Sequence, residues 1–66
     1  MRKDEYRHLF AQCKQFIKFN NVCKAVGVSP SAYYQFMKGS EFNWLLSVEK
    51  LELMRLCIIN TLEKIA

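Results

Sequence analysis

Apolar residues recur at helical spacing through the first quarter of the chain. Steps of three and four residues, which are typical of an amphipathic helix, connect Tyr6, Leu9, Phe10, Cys13, Phe16 and Ile17. Asp4 and Glu5 precede this set, in the first helical turn, where carboxylates interact favourably with the helix dipole. Basic residues form a second stripe beside it, at Lys3, Arg7, Lys14 and Lys18. The pattern predicts a helix over residues 3–18 with one buried face and a positive flank.

A short second helix is predicted over residues 20–26. Asn20 and Asn21 have side chains that can accept hydrogen bonds from the free N–H groups at a helix start. Gly27 follows, and glycine readily adopts the left-handed conformation in which many helices end. The helix is therefore expected to start at the two asparagines and to end at the glycine.

A third helix is predicted over residues 30–38. Ser29 suits its N-cap, Pro30 suits its first position, and Gly39 can end it. Only three residues separate it from the second helix, and the first of them is glycine. Two short helices connected in this way predict a helix-turn-helix, in which the later helix is the recognition helix.

The rest of the chain predicts two further helices. One is short, over residues 41–46, and the other is long, over residues 48–65, with Ser47 as its cap. The main apolar face of the long helix comprises Val48, Leu51, Met54, Ile58, Leu62 and Ile65. A single continuous helix from Asn43 is the alternative. The expected fold class is therefore all-α, a compact bundle of four to five helices that forms one domain over residues 1–66.

Three apolar residues of the long helix lie outside its main face. Leu53, Leu56 and Ile59 add more apolar surface than one face can bury in so small a domain. We expect them to form the seam of a homodimer, since helix-turn-helix modules usually dimerise to bind two half-sites. The alternative is a monomer that buries them under the first helix. Trp44 is expected to seal the short fourth helix onto the core.

Composition narrows the class of protein. The chain has 66 residues, 52% of them hydrophobic, which is too apolar for disorder and too short for an enclosed enzyme pocket. No metal-ligand set and no nucleophile beside a base occur at a recognisable spacing, so no catalysis, cofactor, metal or small-molecule effector is expected. Without a signal peptide, a membrane-spanning run or an even number of cysteines, the chain is expected to be cytoplasmic, with three reduced, buried thiols.

Charge is divided unevenly along the chain. Residues 1–38 contain seven basic and two acidic residues, whereas residues 39–66 contain three basic and four acidic ones. No acidic residue occurs between Tyr6 and Ser40. Because a solvated surface normally mixes both signs, this asymmetry favours a polyanionic partner, either nucleic acid or an anionic membrane face. A basic surface that serves only solubility is the plain alternative.

The segment over residues 20–39 has a recognisable order of residue types. Apolar residues flank a small one in the second helix, glycine follows at the turn, and apolar residues recur further on. The residues concerned are Val22, Cys23, Val26, Gly27, Val28, Tyr33, Phe36 and the closing Gly39. This order resembles the helix-turn-helix of phage repressors of the lambda repressor and Cro type. Residues 27–34 are also similar to the helix-turn-helix of insertion-sequence transposases and tetracycline-repressor relatives, so the family within this class stays open.

The resemblance implies a recognition helix that lies in the major groove of double-stranded DNA. The residues implied to contact bases are Ser29, Ser31, Tyr34 and Gln35. The residues implied to contact phosphates are Lys18, Asn20, Asn21, Lys24 and Lys38. Gln35 is the best candidate for a base contact, because a carboxamide can both donate to and accept from adenine. Each assignment has a plain alternative. Ser29 only caps the helix, Tyr34 only covers a helix junction, and the single lysines are only solvated.

The leading function is therefore a sequence-specific DNA-binding transcriptional regulator, similar to the repressors of phages or mobile elements. A second DNA-binding hypothesis is an excisionase or another accessory factor in recombination. A third, from a different class, is a small helical protein-interaction module such as an anti-repressor or an antitoxin-like partner. DNA binding predicts a large loss of function on charge reversal at Lys18 and Lys24, together with a steep salt dependence, whereas the interaction module predicts that function stays intact.

Overall fold

A computed structural model describes residues 1–65, with the backbone alone at Ile65. The described part is all helical and folds into a small bundle, which confirms the expected fold class. Its elements are α1 (Lys3–Cys13), α2 (Phe19–Val26), α3 (Pro30–Phe36), a 3-10 helix (Ser40–Leu45) and α4 (Val48–Ile65). None of these helices is long and apolar enough to cross a membrane.

The first helix ends five residues earlier than predicted. The N–H groups of Phe16 and Ile17 both donate to the carbonyl oxygen of Cys13, at 2.9 and 3.0 Å, and the chain turns there. On a continuous helix, Phe19 would face away from Phe10, because nine residues at about 100° each end on the opposite side. The turn instead brings the two rings to 5.5 Å between centroids. Packing in the core therefore outweighs the periodicity, and Phe16 is left 68% exposed.

The start of α2 also differs from the prediction. Lys18 is the N-cap, so Asn20 and Asn21 lie inside the first turn and do not cap it. The N–H of Asn21 donates to the carbonyl oxygen of Lys18 at 3.0 Å. The physical reason is again burial, since Phe19 enters the core as the first residue of the helix.

The end of α2 is as predicted. Gly27 has a φ of 76°, in the left-handed region. Its N–H donates to the carbonyl oxygen of Lys24 at 3.4 Å, and the N–H of Val28 donates to that of Cys23 at 2.8 Å. This pair of hydrogen bonds is a Schellman motif, and it sets the angle at which the chain leaves α2.

Ser29 is the N-cap of α3 and Pro30 is its first residue, as predicted. The carbonyl oxygen of Ser29 accepts a hydrogen bond from Tyr33 at 3.1 Å, while its side chain makes no capping bond. The helix ends at Phe36, two residues earlier than expected. Gly39 is extended, with a φ of 160°, so its lack of a side chain is not what ends the helix.

The short fourth helix is a 3-10 helix, and Trp44 does not seal it. Its backbone departs from helical angles at Phe42, and half-buried Leu45 is its apolar residue that packs against the core. Trp44 points outward and is 74% exposed. Leu46, just after the helix, is the buried residue that closes this end of the core.

The long helix α4 has the predicted bounds. The Oγ of Ser47 accepts the N–H of Lys50 at 3.2 Å, which confirms the cap and excludes a continuous helix from Asn43. Three residues of its predicted apolar face, Leu51, Met54 and Ile58, are buried. The outer two, Val48 and Leu62, are 50% and 39% exposed, and the side chain of Ile65 lies outside the described part.

The three cysteines are free thiols, but they are not all buried. Cys23 is fully buried in the core, whereas Cys13 and Cys57 are only half-buried. The prediction of three buried thiols is therefore wrong for two of them. Both lie at the edge of the core, where α1 ends and where α4 passes the buried cluster.

Candidate nucleic-acid interface

The four predicted base-contact residues share the outer side of α3 and its N-cap. Ser29, Ser31, Tyr34 and Gln35 are all exposed. Two other residues of the helix, Tyr33 and Phe36, are buried in the core. The helix thus has a polar face towards solvent and an apolar face that packs against the core.

An aromatic stack holds α3 against the start of α2. The rings of Phe19 and Tyr33 lie 4.8 Å apart and nearly parallel, with 7° between their planes. Phe10 of α1 packs against both, at 5.5 and 6.3 Å. Stacked aromatic pairs of this kind add stability beyond their buried area. Three helices therefore fix the outer face of α3 relative to the first turn of α2.

The predicted phosphate contacts are exposed, and four of the five come together. Lys18, Asn20, Asn21 and Lys24 line one open groove of about 740 Å³, while Lys38 lies outside it. We call this surface the lysine groove. Its polar rim consists of Lys14, Lys18, Asn20, Asn21, Lys24 and Tyr34, and its apolar floor is formed by Ala11, Ile17, Phe19, Tyr33 and Met37.

The lysine groove is electrostatically one-sided. No Asp or Glu lines it. The two ion pairs among residues 1–65 join Arg7 to Asp4 and Arg55 to Glu52, and neither involves a lysine of the groove. Three ammonium groups without a nearby carboxylate create a positive potential that attracts anions.

Lys14 is the lysine of the groove that the sequence did not assign to the interface. It was expected on the flank of the first helix, and the early end of α1 instead leaves it in the turn beside α2. The available signal was the absence of acidic residues between Tyr6 and Ser40. That signal marks the segment as cationic but does not show which lysines meet.

A hydrogen bond joins the two sides of the lysine groove. The hydroxyl of Tyr34 donates to Oδ1 of Asn20 at 3.2 Å. The Tyr34 ring also meets Tyr33 edge-on, at 5.1 Å and 65°, and remains 55% exposed. Because Oδ1 of Asn20 accepts from Tyr34, its Nδ2 is left with two N–H donors for another partner.

The floor of the groove is uncharged at neutral pH. Burial raises the pKa of the Tyr33 hydroxyl above its usual value. Burial also raises the pKa of the Cys23 thiol beneath it. Neither group therefore supplies an anion that would oppose a polyanionic ligand.

The predicted dimer seam lies on the outer face of α4. Leu53 and Leu56 are each 48% exposed and Ile59 is 39% exposed. The alternative in which they are buried under α1 is therefore wrong, because α4 packs on α1 and α2 through its opposite face. The seam is an unpartnered apolar strip on the described chain.

Within residues 1–65, no three His, Cys, Asp or Glu side chains are grouped so as to hold a metal ion. No family model, curated protein or solved structure matches this chain. The residues and their geometry are thus what supports a function.

Proposed function

We propose that this protein is a sequence-specific, double-stranded DNA-binding transcriptional regulator. In this proposal α2 and α3 form a helix-turn-helix, with Gly27 at the turn and α3 as the recognition helix. The observation that carries the proposal is the exposed polar face of α3 beside the lysine groove, which no carboxylate lines. A base-contacting helix flanked by phosphate-binding cations is the combination that duplex recognition needs.

Sequence preference is assigned to the outer face of α3. Ser31 and Gln35 are exposed, and the carboxamide of Gln35 has the donor and acceptor pair that matches N6 and N7 of adenine. A bidentate contact of this kind discriminates against the wrong base by about 1–3 kcal/mol. The activity is binding without catalysis.

The proposal includes a homodimer. Exposed Leu53, Leu56 and Ile59 supply an apolar seam on α4, while α3 packs on α2 and the 3-10 helix. A dimer formed through α4 therefore leaves both recognition helices free to contact DNA. Two copies bind half-sites about one helical turn apart, so a palindromic site is expected.

Selection of bound duplexes from a random DNA pool at moderate salt tests the proposal. Wild-type protein is compared with Gln35→Ala and with the control Gln12→Ala, an exposed glutamine on α1. The expected result is a palindromic motif that loses preference at one position per half-site only in Gln35→Ala. Loss at the same position in Gln12→Ala would contradict the assignment of base contact to α3.

Two other outcomes favour the competing hypotheses. Binding without any motif favours an accessory role in recombination. A folded protein that retains no DNA at all overturns the proposal and favours a protein-interaction module. Exposed Phe16 and Trp44 are the aromatic side chains that such a module would use.

A further inference from the structure

We infer that one sugar–phosphate strand of duplex DNA lies in the lysine groove, with Lys14 as a phosphate contact and Tyr34 as a positioning residue for Asn20. The inference rests on the proposed function and assigns the strand-binding part of that interface. It adds one residue to the interface and changes the role of another, since Tyr34 was expected to contact a base.

The first argument is the arrangement of charge. Lys14, Lys18 and Lys24 belong to the turn after α1, the N-cap of α2 and the body of α2, and all three line one groove. All three are exposed, and none is in an ion pair among the described residues. Several cations aligned along a groove match a ligand with repeated negative charges, and release of its counterions favours binding.

The second argument is the apolar floor. A single phosphate ion would leave the accessible part of the floor, at exposed Ala11 and half-buried Met37, uncovered, and a purely apolar ligand would leave the ammonium groups unpaired. A DNA strand alternates charged phosphates with deoxyribose rings, which carry apolar edges. The groove of about 740 Å³ has this same combination of a cationic rim and an apolar floor.

The third argument is the hydrogen bond between Tyr34 and Asn20. The hydroxyl of Tyr34 is already engaged with Oδ1 of Asn20, at 3.2 Å, so it fixes the orientation of the carboxamide. The Nδ2 atom of Asn20 then offers donors only, and phosphate oxygens accept but do not donate. Tyr34 therefore acts through Asn20.

The inference is tested by measuring how the affinity for a duplex of mixed sequence depends on salt concentration. The slope gives the number of phosphates that the lysines neutralise. Each lysine–phosphate contact that is lost reduces the slope of log affinity against log salt by about 0.9. Lys14→Ala, Lys18→Ala and Lys24→Ala are each expected to reduce the slope by about this amount. Lys64→Ala is the control, because Lys64 is an exposed lysine near the end of α4 that does not line the groove. It is expected to leave the slope unchanged.

The positioning role is tested with uncharged variants. Tyr34→Phe keeps the ring and removes the hydroxyl, and it is expected to weaken binding about three- to tenfold, as loss of one hydrogen bond does. Asn20→Ala is expected to cause a similar loss, and the double variant no further loss. The salt slope and the melting temperature should stay as in the wild type, because both side chains are exposed and uncharged.

The outcomes separate this inference from the proposed function. If wild-type protein binds DNA but Lys14→Ala behaves like Lys64→Ala, the strand does not lie in the groove and the proposed function stands. If Tyr34→Phe and Asn20→Ala weaken binding additively, Tyr34 is not a positioning residue. If wild-type protein binds no duplex at all, both proposals fail.

Discussion

The guanidinium of Arg7 lies over the ring of Phe36, 4.0 Å from its centroid, and its Nε donates to the carbonyl oxygen of the same residue at 2.6 Å. The other two nitrogens of the guanidinium also donate hydrogen bonds. Nη1 donates to Oδ1 of Asp4 at 2.8 Å, and Nη2 donates to Oδ1 of Asn43. One buried side chain of α1 thereby holds both the end of α3 and the 3-10 helix.

Replacing Arg7 tests this contact. Arg7→Lys keeps the charge but cannot meet three partners, because an ammonium group lacks the planar fork of donors. We expect the free energy of unfolding to fall by about 2 kcal/mol, the usual contribution of hydrogen bonds to a charged group. Urea unfolding measures this free energy. Arg2→Lys is the control, because Arg2 is exposed and its replacement should change the free energy of unfolding little. Equal effects of the two variants would show that the contact with Phe36 contributes nothing.

Acid stability is predicted to depend on Glu52. Hydrogen bonds from Arg55 and then from Tyr6 lower the pKa of this carboxyl from 4.5 to about 2. The ionised form is thus favoured in the folded state, so its contribution is complete above pH 4.5 and disappears as the pH falls towards about 2. Glu52→Gln should flatten the melting temperature between these pH values. Glu49→Gln, one turn earlier on α4, should keep the wild-type slope.

The two glycines are predicted to respond differently to alanine. Gly27 has a φ of 76°, where an L-residue costs about 1–2 kcal/mol, although the nearest atom to an added Cβ, Nζ of Lys50, is 3.8 Å away. Gly39 is extended and its added Cβ also meets nothing closer than 3.8 Å. Gly27→Ala should therefore lower the urea midpoint, while Gly39→Ala should leave it unchanged or raise it. A fall with Gly39→Ala would contradict this account.

The proposed dimer is predicted to depend on the seam of α4. Leu53→Glu with Leu56→Glu should convert the wild-type dimer to a monomer in sedimentation equilibrium, because buried unpaired carboxylates are costly at an interface. The fold should persist, since both residues are about half exposed in the single chain. Phe16→Glu is the control, an exposed apolar residue outside the seam. A monomeric wild-type protein would end the dimer proposal.

The sequence predicted correctly those features whose conformation depends on neighbouring residues. The left-handed turn at Gly27, the Ser29-Pro30 start of α3 and the bounds of α4 all follow from residue types within a few positions. These features need no knowledge of what packs against them.

The predictions from sequence are wrong where contacts with other elements of the fold determine the conformation. The periodicity of the first segment continues past Cys13, but Phe19 has to reach Phe10, and only a turn allows it. Arg7 belongs to a basic stripe in the sequence and is nevertheless buried, because Phe36 and Asn43 supply partners more than 25 residues away. Trp44 is large and apolar, yet a 3-10 helix turns it outward. No local pattern contains these partners.

The alternation along α3 has an evolutionary consequence. Its inner residues hold the fold, whereas the side chains of Ser31 and Gln35 are exposed and take part in no hydrogen bond among residues 1–65. Substitution at these two positions is thus nearly free of a folding penalty. Under the proposed function, a lineage carrying this domain can change its DNA target by changing two codons while the bundle stays intact. A library randomised at both positions should consist mostly of folded proteins.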